Sequence, residues 1–197
     1  MVPKLAILIP TLPERQEKFD LLVNELIRQT IEAGYVYRRD VKVIYDPAPR
    51  GEKSTGAKRN YLIEQALKLG AEYVSEVDDD DWVSPDYIHH TMKGIESGMD
   101  CCSLRGIITW DGKNPEVFEH SVRYSEWKTN DTGAIKYERG ITPLNCVKTK
   151  IAAQIKFPDI TFGEDHSWSK AIMESGLIKT EYYIDKPIYK YLYVTRK

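Results

Sequence analysis

The chain has 197 residues, 42% of them apolar and 29% charged, with a formal net charge of −2. That is enough for one domain with a full hydrophobic core, and it excludes a protein that binds nucleic acid or membrane by bulk positive charge. No apolar stretch approaches the length of a membrane span, and MVPKLAILIPTLPER has neither the long apolar run nor the small-residue cleavage site of a signal peptide. Cys101, Cys102 and Cys146 show no CxxC spacing, which predicts reduced core thiols and a cytoplasmic protein.

Residues 5–9 (LAILI) form a continuous apolar run ended by Pro10, the signature of a strand buried on both faces. Phe19, Leu22, Val23, Leu26, Ile27 and Ile31 fall on one helical face, and Gly34 ends that helix. A second strand is predicted at 41–45 (VKVIY) and a second helix at 56–69, stopped by Gly70. A third strand follows at 71–77, and Ser84-Pro85 reads as the start of a third helix. Strands and helices alternating at this pitch predict βαβ units and a mostly parallel sheet flanked by helices. Right-handed crossovers then bring Pro10-Thr11, Asp46 and Asp78 to Asp81 to one carboxyl edge, where open α/β sheets bind ligands.

The second half changes character. Residues 101–110 and 117–124 read as strands about an Asp111-Gly112 turn. A strand near 144–147, a helix near 148–155 and a helix after Gly163 follow, and a β-rich run closes the chain. No repeat or linker interrupts the sequence. The reading is one domain over 1–197, with a smaller β-rich region in its second half.

VDDDDW, residues 77–82, places four carboxylates side by side at the predicted edge. Their repulsion requires solvation, retained protons or a cation. The position favours a cation, and hard oxygen ligands favour Mn²⁺ or Mg²⁺. The segment RGEKSTGAKRN (50–60) adds Arg50, Lys53, Lys58 and Arg59 near a helix start, a candidate anion site. Asp165, three residues before Trp168 and seven before Ile172, shares their inner helical face. It is either a cap or a base. His89, His90 and His120 show no partner in the sequence and receive no role. The interleaved tyrosines and lysines of KPIYKYLYVTRK (186–197) read either as a strand with a solvated basic tail or as a nucleic-acid stacking stretch.

Taken together, ILIPTLPER, Asp46 after VKVIY, GAKRN, VDDDDW-VSP, GEDHSW and IDKPIYKY resemble, in order, the motifs of family 2 glycosyltransferases of the GT-A fold. VDDDDW matches their DxD motif and GEDHSW their late ED motif. The resemblance implies a single GT-A domain, residues 1–99 forming the nucleotide-sugar half and 100–197 the acceptor half. It implies transfer of a sugar, from a UDP-sugar by preference, to an acceptor hydroxyl with inversion. It implies donor contacts from Pro10, Thr11, Arg15, Asp46, Lys58, Arg59, Asp78 and Asp79. Asp80 becomes the Mn²⁺ or Mg²⁺ ligand, with Asp78 and His166 as further candidates. Asp165 becomes the catalytic base, and Glu164 and Trp168 fall on the acceptor side. The acceptor stays open among a glycan, a lipid-linked sugar and a modified DNA base.

The chain departs from the pattern in places. YDPAPRGEKST replaces a second Asp and a Gly-Ser turn, and Ser75-Glu76 interrupts the strand before the DxD. No QxxRW follows the ED motif, which argues against a processive synthase. A nucleotidyltransferase would need a glycine-rich loop after the first strand, and PTLPER has none. A binding module without turnover would not need intact acidic motifs.

Overall fold

A computed structural model of the chain describes residues 2–194. Strand β1 (Leu5–Pro10) lies between β2 (Val41–Asp46) and β3 (Tyr73–Glu76) and runs parallel to both. Alternate β1 residues face opposite ways. Leu5, Ile7 and Ile9 pack with Phe19, Leu22 and Leu26 of α1 (Gln16–Glu32). Ala6 and Leu8 pack on the other face with Leu62 and Ala66 of α2 (Thr55–Lys68). Both faces are covered, which is why LAILI carries no polar residue.

The sheet extends beyond β3 in the order β10 (Val147–Lys148), β5 (Cys101–Cys102) and β11 (Glu181–Tyr182). Strand β10 is antiparallel to its neighbours, so the sheet is mixed, with its parallel part at the predicted edge. A second six-stranded sheet has the order β4 (Trp82–Val83), β12 (Pro187–Tyr193), β6 (Leu104–Trp110), β7 (Lys113–His120), β9 (Tyr137–Arg139) and β8 (Lys128–Thr129). Ile188, Tyr189 and Phe118 carry it into the core shared with α1 and with α3 (Tyr87–Glu96). One turn of helix, α4 (Thr149–Ala152), and α5 (Glu164–Ser175) complete the α/β domain.

Several boundaries differ from the sequence reading. The run 101–110 splits at Ser103, leaving β5 in the first sheet and β6 in the second. The Ser103 hydroxyl accepts from the Ile184 amide at 2.7 Å, and its own amide donates to the Tyr182 carbonyl at 2.9 Å. Ser84-Pro85 does not start the third helix. The Ser84 amide instead donates to the Ile188 carbonyl at 2.9 Å, and α3 begins at Tyr87 without a side-chain cap. Helix α2 begins one residue before Gly56, capped by Ser54, whose hydroxyl accepts from the Ala57 amide at 3.0 Å. The strand expected at 117–124 ends at His120, and the helix expected at 148–155 shortens to α4. All three cysteines are buried and free. Arg196 and Lys197 of the basic tail lie outside the described residues. Among the described residues no helix is long and apolar enough to cross a membrane.

The glycine of GAKRN is set by close packing. A Cβ on Gly56 would sit 1.9 Å from the Pro158 carbonyl oxygen, which is backbone. Gly56→Ala should therefore cost about 1–3 kcal/mol by overpacking. Urea denaturation checks this, and an unchanged midpoint would show that the 157–160 loop yields freely.

Candidate active site

The carboxyl ends of β1, β2 and β3 open into a cavity of about 320 Å³. Pro10, Thr11 and Asp78 to Asp80, expected at the sheet edge, are on its wall with Arg15, Lys58 and Arg59, while Asp46 and Asp81, expected at the same edge, are not. Arg50 and Lys53 bring positive charge from the loop before α2. Asp46 is not on the wall. It is buried beneath, accepts from the Ala48 amide at 3.0 Å and holds the Lys53 ammonium at 2.8 Å. Asp46, expected among the donor contacts, is instead a turn-forming carboxylate that positions Lys53. Lys58 is also buried. Its ammonium donates to the Thr11 carbonyl at 2.6 Å and to the Ala48 carbonyl, and burial pushes its pKa down. It ties the loops after β1 and β2 together. The anion site of free amides at the α2 start is only partly present, since Ser54 takes the Ala57 amide and the Ile160 carbonyl takes that of Gly56 at 3.0 Å.

The four aspartates divide their work. Asp79 is 2% exposed and accepts from the Thr11 hydroxyl at 2.7 Å, the Leu12 amide at 3.3 Å and the Arg15 guanidinium at 2.6 Å. It ties the loop after β1 to the loop after β3. Asp81, also buried, accepts from the Tyr189 hydroxyl and from the Leu192 amide, both at 2.8 Å. Burial and the charge of Asp78 push its carboxyl well above the usual range. Asp78 and Asp80 remain, half-buried and facing the cavity. Arg15 pairs with Asp80 at 2.9 Å, yet burial and the Asp78 charge push the Asp80 carboxyl up. Asp78 pairs with Arg59 at 3.1 Å, and both carboxylates still line the cavity. These oxygens fit a hard cation that shares its coordination with a bound diphosphate. Among the described residues no group of three or more His, Cys, Asp and Glu side chains is set to enclose an ion. His166 is exposed, its ring edge-on to Trp127 at 4.7 Å, and it is on the wall of neither cavity described here.

Arg59 is the hub. Its buried guanidinium donates to Glu76 of β3, to Asp78 at 3.1 Å and to Glu164 of α5 at 3.3 Å. Glu76, which departs from the expected apolar strand, meets an arginine because β3 residues alternate. Ser75 faces α3 and meets the Tyr87 hydroxyl at 2.9 Å, while Glu76 faces α2. Asn60 completes the motif by clamping Phe157, its amide donating to the carbonyl and accepting from the amide, each at 2.9 Å.

Arg59 and Asp78 also belong to a second cavity of about 280 Å³, which Asp165 enters from the start of α5. Asp165 is half-buried and shares that wall with Asp78. Glu164 and Trp168 are corrected. Glu164 is 5% exposed and belongs to the Arg59 cluster, not to an acceptor surface. Trp168 is 2% exposed, stacks on Phe157 at 5.3 Å and donates to the Ile155 carbonyl at 3.1 Å, so it is core. Tyr189 is fully buried, which removes it from any stacking surface, whereas Tyr191 and Tyr193 are on the cavity wall. The sequence reading missed His120, Trp127 and Arg139 on this wall. They come from β7, β9 and the loop before β8, and no motif marks them.

No known family profile matches the chain, and no curated protein matches it. Solved structures do. A crystal structure of residues 1–349 of S. aureus TarS superposes with a TM-score of 0.66 and 17% identity, covering 96% of this chain and 60% of that one. The chain shares the fold of this TarS segment. The same TarS segment in complex with UDP-GlcNAc matches at a TM-score of 0.61 and 17% identity, over 98% of this chain and 59% of that one. Another crystal structure of S. aureus TarS matches at 0.58 and 16%, over 96% of this chain and 37% of that one. The chain therefore spans about 60% of the shorter TarS structures and 37% of the longer one.

Two predictions follow from the Arg59 cluster. Arg59→Met leaves Glu76 and Glu164 buried without their cation and should destabilise the protein by about 3–5 kcal/mol at neutral pH. Equilibrium urea unfolding measures it, and a loss under about 1 kcal/mol would class the cluster with exposed ion pairs. The second concerns pH. Burial, partly opposed by Arg59, pushes the Glu76 carboxyl from 4.5 up to about 7. Its folded pKa exceeds the unfolded one, so its contribution to stability is complete below about 4.5 and lost as pH rises through about 7. Glu76→Gln should flatten that part of the stability curve, read as urea midpoints across this range. A wild-type slope in the variant would assign the titration to another group.

Proposed function

We propose that the chain is a metal-dependent, non-processive glycosyltransferase that moves a sugar from a nucleotide-diphosphate sugar to an acceptor hydroxyl with inversion. The observation that carries this reading is the junction of the two cavities. They share Asp78 and Arg59, one holds the basic and acidic groups suited to a diphosphate, and the other holds Asp165. The UDP-GlcNAc complex of TarS supports a UDP-sugar as donor.

In this reading Arg15, Arg50 and Lys53 face the diphosphate, and Thr11 lies beside the nucleoside. Asp78 and Asp80 would hold Mn²⁺ or Mg²⁺, whose bound charge offsets that of the leaving diphosphate. Asp165 takes the proton of the acceptor hydroxyl as its oxygen bonds to the anomeric carbon. Arg59 fixes Asp78 at the boundary between donor and acceptor.

The first experiment is thermal stabilisation by UDP, GDP, TDP and their sugars, each with and without Mn²⁺. A shift that needs both nucleotide and metal supports the donor site. No shift with any of them favours a binding module for other ligands. Asp80→Ala should abolish the metal-dependent part of the shift, and unchanged Mn²⁺ dependence would sink the assignment of Asp80. Asp165→Asn should keep donor binding and lose transfer. Transfer retained within about tenfold is too small a loss for removal of a general base.

A further inference from the structure

The second cavity has an unusual wall. Trp110 of β6, Phe118 of β7, Tyr137 of β9, Tyr191 and Tyr193 of β12, and Trp127 from the loop before β8 surround it. Beyond the Asp78–Arg59 junction it has one carboxylate, Asp165, and no amide side chain. A sugar ring carries hydroxyls around its rim, and each needs a polar partner when buried. Few are free here. The Tyr137 hydroxyl donates to Glu116 at 2.9 Å, and Arg139 donates to the carbonyls of Lys128 and Glu138 at 2.7 and 2.9 Å. A flat ring with two π faces suits aromatic walls with few polar groups better.

Two further groups narrow the ring's chemistry. His120 is 8% exposed and on the cavity wall, its ring 4.9 Å from that of Phe118. Its Nδ1 meets the Thr142 hydroxyl at 2.9 Å, and its Nε2 has no hydrogen-bond partner among the described residues. Burial and the Arg139 charge hold the imidazole neutral. An uncharged, near-buried ring nitrogen in an aromatic cavity is suited to the edge of a nitrogen heterocycle. Arg139 lies over Trp127 at 4.8 Å and over Tyr137 at 5.4 Å. It has no carboxylate within ion-pair distance among the described residues. Only its Nη1 is used by the two carbonyls, so its remaining N–H groups and its charge are available to an anionic substituent such as a phosphate.

We propose that this cavity is the acceptor subsite and takes a nucleobase bearing an aliphatic hydroxyl, with His120 Nε2 on the base edge and Arg139 beside its phosphate. The proposal rests on the glycosyltransferase reading. In the transfer, the base's hydroxyl oxygen bonds to the anomeric carbon and its proton passes to Asp165. The bond from that carbon to the diphosphate breaks, and its electron pair leaves with the nucleoside diphosphate.

The test is tryptophan fluorescence titration, which needs no turnover. The probes are 5-hydroxymethyl-deoxycytidine monophosphate, the same base in single-stranded and duplex oligonucleotides, and an N-acetylglucosamine oligosaccharide. Saturable quenching by the mononucleotide or an oligonucleotide is expected, and which of them binds tells a free nucleotide from nucleic acid as the source. His120→Phe, which keeps the ring volume, and Trp127→Ala, at an exposed side chain, should each weaken it by about tenfold or more. Saturable binding of the oligosaccharide with none of the nucleotide probes overturns the proposal. So does the absence of binding by any probe in a protein that a UDP-sugar and Mn²⁺ still stabilise. If donor and metal give no stabilisation, the glycosyltransferase reading fails instead, and the base-binding result still decides what the cavity holds.

Discussion

One guanidinium buried among three carboxylates organises both cavities. Arg59 reaches Glu76 on β3, Asp78 in the loop after it and Glu164 at the start of α5. Helix α2 is thereby fixed against the sheet and against the helix that carries Asp165. Burying these charges is costly, and the attraction among them offsets the cost only while every partner is present. The cluster has more carboxylates than cations, and burial pushes Glu76 and Glu164 upward accordingly. It is a poor way to gain stability and an effective way to fix geometry. Arg59 is also part of the wall that the two cavities share.

VDDDDW shows the same economy. Four neighbouring carboxylates can avoid mutual repulsion by pairing, by keeping protons or by facing a cation. The structure uses more than one of these. Asp79 is paired with Arg15 and two further donors, and Asp81 is buried with its acidity suppressed. Asp78 and Asp80 are the two less buried members, and they face a cavity whose wall Asp79 shares. Alternate residues of the tetrad thus build the loop, and the others equip it. The basic segment after β2 divides likewise, with Lys58 bracing two loops while Lys53 reaches the wall.

What the sequence revealed follows from where one force dominates. Strand β1 is buried on both faces, so its run of apolar residues admits no other reading. The βαβ order then fixed the edge at which Thr11 and the aspartates meet. The sequence was less legible where period and composition are the same on both sides of a boundary. Residues 101–110 look like one strand, but a serine in the middle bonds its neighbours and the chain changes sheet. Ser84-Pro85 has the composition of a helix start, yet the Ser84 amide is taken by β12. Glu164 and Trp168 sit in a motif that suggests function, and both point into packed interior. The aromatic wall was invisible for a different reason. Its rings come from five separate segments, and only the strand order of the second sheet brings them together.

The second sheet meets the acidic loop after β3 at Tyr189, and that contact aligns the two cavities. Its hydroxyl donates to Asp81 and accepts from the Asp78 amide at 3.2 Å, so one buried phenol holds both ends of the acidic loop. Asp81 in turn accepts from the Leu192 amide. Strand β12 is thereby pinned at two points to the loop that faces the first cavity. Side chains alternate along a strand, so a slip of one residue would exchange Tyr191 and Tyr193 for their neighbours on the opposite face. The hydrogen bonds that shape the acidic loop therefore also set the register of the aromatic wall. Asp78 is held from two sides at once, its carboxylate by Arg59 of α2 and its amide by Tyr189 of β12.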